Sequence, residues 1–236
     1  MRSLKTTART TGLLYLGVAI TGMFGFLLIR PEIYVAGDAA ATFANLVENE
    51  TLARLGIALE LLVVLTQALV AVWFYRLFRT ISSAAAGSLA AFGLVNSTAI
   101  LASAAFLVTA LAVAVDPALA PGGDAAATVQ LMYELSGAFW GVGAIFFGLW
   151  LIPMGYLVLA SQWMPRPLGW ILVGGGVGYI LSAFVVYVVP DAPGALEIAL
   201  TVLATVGEFW MIGYLLIKGV RGDKGAPAAL RETLAA

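Results

Sequence analysis

The chain has 236 residues, 62% of them hydrophobic and 11% charged, with a formal net charge of −1. Soluble domains carry roughly 25% charged residues, so this composition, with a mean hydropathy of +1.01, excludes them and points to a membrane protein. There is no Cys and no His, which excludes disulfides, thiolate metal sites and histidine-based triads and removes the usual haem and zinc ligand. No basic block is present, so nucleic acid is not an expected partner.

Six apolar runs are long enough to cross a ~30 Å hydrocarbon core. The first, near residues 11–30, ends in Arg30-Pro31 without a small-residue cleavage site, so it reads as a span and not as a removed signal. After it, Gly37-Asp38-Ala39-Ala40-Ala41-Thr42 recurs later as Gly123-Asp124-Ala125-Ala126-Ala127-Thr128. Each copy reads as a helix N-cap, with Asp accepting from the first-turn N–H groups; a remnant of hairpin duplication is the alternative. Phe43, Leu46 and Val47 then follow an i, i+3, i+4 pattern that predicts a short surface helix. In the second run, 52–76, Glu60 and Gln67 share a face with Gly56 and Ala71. The third, 87–115, carries Gly93, Asn96, Ala99 and Ser103 as one stripe.

The fourth run, 127–160, is overlong for a single span at ~1.5 Å per residue, so it projects beyond the bilayer or tilts and kinks at Pro153. Its stripe through Glu134 contains Gly137, Ala138, Gly141, Ala144, Gly148 and Gly155, a small-residue seam that aims Glu134 at other helices. Trp163-Met164-Pro165-Arg166-Pro167-Leu168-Gly169 makes a rigid turn into the fifth run, 167–189. Gly174-Gly175-Gly176-Val177-Gly178 there looks like a phosphate-cradling loop. It lies inside an apolar span without the lysine of a P-loop, so close helix packing explains it better. The sixth run, 196–218, opens with Glu197 in its first turn and carries Glu208 about midway, in line with Thr201, Ala204 and Thr205. From Arg221 onward the chain is a polar, Ala-rich tail.

Charge sets the expected orientation. Arg2, Lys5, Arg9, Arg76, Arg79, Arg166, Lys218, Arg221, Lys224 and Arg231 fall on one side, whereas only Arg30 and Arg54 fall on the other, among seven acids. Positive-inside logic places both termini in the cytoplasm. The only lysines, Lys5, Lys218 and Lys224, lie at or beyond span ends, which argues against a retinal Schiff base.

Glu60, Glu134 and Glu208 remain inside spans, where a charge costs at least ~2.5–3.5 kcal/mol and usually faces protein. No lysine or arginine is expected to share the membrane interior with them, Arg54 being the closest. Glu208 is therefore expected to be neutral and hydrogen-bonded to groups such as Asn96 or Gln67. Candidate ligand- or proton-binding residues are Glu60, Gln67, Asn96, Glu134, Trp140, Glu208 and Trp210; no catalytic residue, metal ligand or cofactor is expected.

Several segments are distinctive: Phe146-Phe147-Gly148-Leu149-Trp150, Pro153-Met154-Gly155-Tyr156-Leu157, Pro165-Arg166, Leu168-Gly169, Gly176-Val177-Gly178-Tyr179, Gly207-Glu208-Phe209-Trp210 and Leu215-Leu216-Ile217-Lys218-Gly219. With Gly37–Thr42 and Arg54-Leu55-Gly56, they resemble the domain-of-unknown-function family numbered 4386. The resemblance runs over nearly the whole chain and implies a multi-span, mostly bacterial membrane protein, without an activity, substrate or catalytic residue. Family members often carry a His in the fourth span; this chain has none.

The sequence thus predicts an all-α membrane protein, a six-transmembrane-helix bundle of the cytoplasmic (inner) membrane with both termini cytoplasmic. Residues 1–220 are expected to form a single six-span domain and 221–236 a polar cytoplasmic tail. The expected function is a small-molecule or proton-linked transport or ligand-binding bundle. The alternative is a non-enzymatic scaffold, sensor or accessory subunit, with a homo-oligomer or larger membrane complex as partner. A membrane-embedded enzyme comes third, because no two acids inside a span have i, i+3 or i, i+4 spacing.

Overall fold

A computed structural model of the chain describes residues 2–220; the expected tail from 221 onward lies outside the described residues. The first span begins as α1 (Arg2–Gly22), winds as a π-helix over Met23–Ile29, and ends as the single turn α2 (Arg30–Ile33). After it come α3 (Ala39–Glu48), α4 (Glu50–Phe78), α5 (Ser83–Val115), α6 (Ala125–Ser161), α7 (Arg166–Val188) and α8 (Gly194–Ile217), and no strand occurs among the described residues. Six helices are long and apolar enough to cross a membrane: Leu4–Ile33 and α4 to α8. The chain is an all-α membrane protein, with six such helices among the described residues.

Large apolar side chains stand on the outside of these helices. Leu13, Leu65, Val142 and Phe184 are each more than half exposed, a surface that water would not tolerate and lipid tails would. The two repeated loop sequences are helix caps. Asp38 accepts from Ala41 N–H and Asp124 from Ala127 N–H, each at 2.9 Å. Gly37 and Gly123 precede them with φ of 74° and 79°, a left-handed turn that glycine makes without strain. The helix expected after the first copy is α3, whose Leu46 is buried.

The described chain divides into two compact units. The α3 unit comprises Gly17–Ala68 and Val95–Gly143. Ile29, Ile33, Leu46, Leu111, Val129 and Tyr133 contribute to its apolar core. The other, the α7–α8 unit, comprises, of the described residues, 2–16, 69–94 and 144–220. Phe74, Trp150, Met154, Leu168 and Leu215 are fully buried there.

Glycines set the spacing in the α7–α8 unit. A Cβ on Gly148 would strike the Gly176 carbonyl, and one on Gly155 would lie 2.5 Å from the Gly169 carbonyl. Gly175 faces Ala204 Cα at the same distance, and Gly178 lies against the Leu200 carbonyl. The run from Gly174 to Gly178 is therefore a contact surface for α6 and α8, as the packing reading expects, because only bare backbones approach so closely. Pro153 is accommodated within α6, which runs unbroken for 37 residues, about 55 Å at helical rise.

Candidate functional site

The π-helical stretch prepares a polar site in the α3 unit. A π-helix bonds five residues back, and the Arg30 N–H reaches the Gly25 carbonyl in that way. With more than four residues to each turn, Gly25, Phe26, Ile29 and Arg30 fall on one side and line a single cavity of about 20 Å³. Space on that scale holds a water molecule or two. Glu60 from α4 and Tyr133 from α6 face the same cavity.

Arg30 was expected to be an outer topology residue. It is instead half-buried inside the unit, with Nη1 donating to Ser136 Oγ at 2.9 Å and Nη2 to the Tyr133 carbonyl. Three rings surround the guanidinium: Phe26, Tyr34 and Tyr133, with centroids 5.4, 5.3 and 5.6 Å away, all within cation–π reach. Gly137 makes the room, since a Cβ there would sit 3.0 Å from Nη2. The expectation that no cation shares the interior with the acids is thus overturned. Arg54, the residue expected to come closest, pairs instead with Glu50 on its own helix at 2.7 Å, exposed.

Glu60 is 5% exposed. Its carboxylate accepts from Trp140 Nε1 at 3.1 Å and from Ser103 Oγ at 3.2 Å. Ser103 Oγ lies 2.8 Å from Ser136 Oγ, which in turn accepts from Arg30. A relay of two serine hydroxyls therefore joins the buried acid to the half-buried guanidinium. They are within electrostatic reach of each other, yet the only direct ion pair among the described residues is the one at Arg54.

The expected site residues separate into groups. Glu60 and Trp140 are in direct contact. Glu134 is exposed and not inward-facing: the α6 residues that turn inward are Tyr133 and Ser136, at 4% and 0% exposure, with Gly137 beside the guanidinium. Two stripes run along α6 one residue apart and share Gly137, and the one that offers acceptors to Arg30 is buried. Glu134 accepts from Tyr34 Oη and from Gln130 Nε2, so it reaches the Arg30 cage through the ring of Tyr34. Burial, then the Glu134 carboxylate, hold the Tyr34 phenol above the usual tyrosine range, so it stays a donor at neutral pH. Gln67 and Asn96 are buried, and the Asn96 amide has no partner at either atom among the described residues.

Glu208 belongs to the α7–α8 unit and is half-buried. Its partner is Tyr15, whose hydroxyl donates to it, where Asn96 or Gln67 was expected. Trp150 Nε1 donates to the same hydroxyl at 3.3 Å, and Tyr15, Phe74 and Trp150 meet edge to face around it. Trp210 is exposed. No group of three or more acids gathers among the described residues.

Arg30, Ser136, Tyr133 and Tyr15 were missed by the sequence reading. The available signal was Arg30 itself, a cation directly after an apolar run and before a proline, opposite the glycine at 137.

Residues 10–219 match the model of one family, Domain of unknown function (DUF4386). The chain belongs to that family. No curated protein and no solved structure matches it.

Proposed function

We propose that this member of the DUF4386 family binds a small molecule or a proton at the Arg30–Glu60 cavity, as a transport or ligand-binding protein of the cytoplasmic membrane with both termini inside. One observation carries the reading. A buried carboxylate and a guanidinium line one cavity without closing into an ion pair. Ionisable groups inside a membrane normally pair directly or mark a pathway, and a built relay of serines favours the second. The π-helix beside the cavity adds support, since such windings concentrate at functional sites. A single family model running from residue 10 to 219 supports treating those residues as one domain.

Glu134 and Glu208 favour a different role. Each accepts a hydroxyl from one tyrosine, as structural acids would, and this is the observation behind a scaffold or accessory-subunit reading.

Ligand screening of the purified chain, then uptake of hits and of protons into liposomes, separates the two. Glu60→Gln should lower uptake by about tenfold, the equivalent of one lost interaction of about 1.4 kcal/mol. Glu134→Gln and Glu208→Gln should leave uptake nearly unchanged. Full uptake in the Glu60→Gln chain would remove the cavity from function.

A further inference from the structure

We propose that the Arg30–Glu60 cavity binds a small monovalent anion of halide size together with one proton, the proton on Glu60 and the anion against Arg30. This rests on the cavity being the functional site and names what it takes.

Charge and size carry the inference. Arg30 cannot lose its proton, and two neutral oxygens, of Ser136 and Tyr133, are the acceptors it holds among the described residues. Its other donors favour an anion, and its fixed positive charge repels a cationic ligand. The space of about 20 Å³ suits a water or an ion of similar size, and is too small for a metabolite.

Glu60 is the one carboxylate among the cavity-lining residues. Ionised, it balances Arg30 through the serine relay, and an entering anion would add a second negative charge beside it in a medium of low dielectric. Protonated, it leaves Arg30 uncompensated, and the anion restores neutrality. Proton and anion binding are therefore linked with positive sign. Serine hydroxyls can turn to suit either state, donating to a carboxylate or accepting from a carboxylic acid.

The charged and titratable groups facing this pair are Arg30 from the first span, Tyr133 from α6, and Glu134 with Tyr34 on the far side of the guanidinium. Ser103 from α5 and Trp140 from α6 complete the contacts of Glu60. Glu134 is exposed and lies outside the cavity lining, so its titration should not set the linkage.

Calorimetric titration of the purified full chain with sodium chloride, against gluconate at fixed ionic strength, tests this across the acidic to neutral range. Chloride affinity should rise by about tenfold for each pH unit lowered, the slope of one co-bound proton. Glu60→Gln, a neutral stand-in for the protonated acid, should bind chloride at neutral pH with no slope, a gain that misfolding cannot imitate. Glu134→Gln should keep the wild-type slope. Arg30→Gln should abolish binding, and Arg30→Lys should retain it in weakened form. No chloride heat at any pH, or an unchanged slope in Glu60→Gln, overturns the proposal. If chloride fails while ligand uptake still depends on Glu60, the anion assignment falls and the site remains; if both fail, both fall.

Discussion

Tyr15 and Glu208 show what a single hydroxyl does inside a helical membrane protein. Removing the phenol oxygen leaves a half-buried carboxyl, and the Trp150 indole, without the atom that joined them. Hydrogen bonds between spanning helices average only about 0.6 kcal/mol, with a maximum near 1.7. Tyr15→Phe should therefore lower thermal stability by about 0.5–1.5 kcal/mol. If the bond is the cause, Tyr15→Phe combined with Glu208→Gln should cost less than the sum of the two single changes. Additive losses in that cycle would show that the two residues act separately. Glu208 was legible as a hydrogen-bonded acid, but its partner Tyr15 was not, because the bond joins positions 193 residues apart and helix periodicity reports only which residues share a face. Arg30 was misread for a related reason. At the outer edge of an apolar run a lone cation reads equally well as an exception to the positive-inside count or as a buried site, and only the packed neighbours decide between them.

At the scale of elements, the glycines of α7 divide into those that touch backbone and those that do not. Gly178→Ala would drive a Cβ into the Leu200 carbonyl, so α7 and α8 must part. A loss of about 1–3 kcal/mol is expected, as for other overpacked contacts. Gly174 has only Leu203 Cδ1 within reach, at 3.8 Å. Gly174→Ala should be neutral or stabilising by up to about 1 kcal/mol, since alanine favours the helix. Thermal melts of the two variants in one detergent check the contrast, and equal losses would contradict the packing account. The existence of this seam was legible from spacing alone, because a run of glycines inside an apolar span has few other uses. Which α6 stripe is buried was not, since the stripes through Tyr133 and Glu134 both pass through Gly137 and composition does not separate them. The π-helix left no periodic trace over its 7 residues.

For the whole molecule, the six spans were legible with little ambiguity, and each expected run overlaps a helix of the structure. Composition enforces this, as unbonded backbone has no partner in hydrocarbon. Sidedness is an expectation from the arginines and lysines near the span ends, and it is open to direct measurement. The chain lacks cysteine, so single introduced thiols report without background. Ala118→Cys, in the exposed turn between α5 and α6, should react with a membrane-impermeant maleimide in intact cells. Thr80→Cys, between α4 and α5, should react only after permeabilisation. The reverse pattern would invert the topology.

The gap at Gly137 reaches beyond this one chain. Its missing side chain is the space in which the Arg30 guanidinium lies, so the two positions form one unit of inheritance. A lineage that keeps arginine at 30 should favour glycine at 137, where a Cβ would lie 3.0 Å from Nη2 and push the guanidinium aside, whereas one that replaces it with a shorter residue is free to fill 137 with alanine or larger. The two sites should drift together, with loss of the arginine coming first.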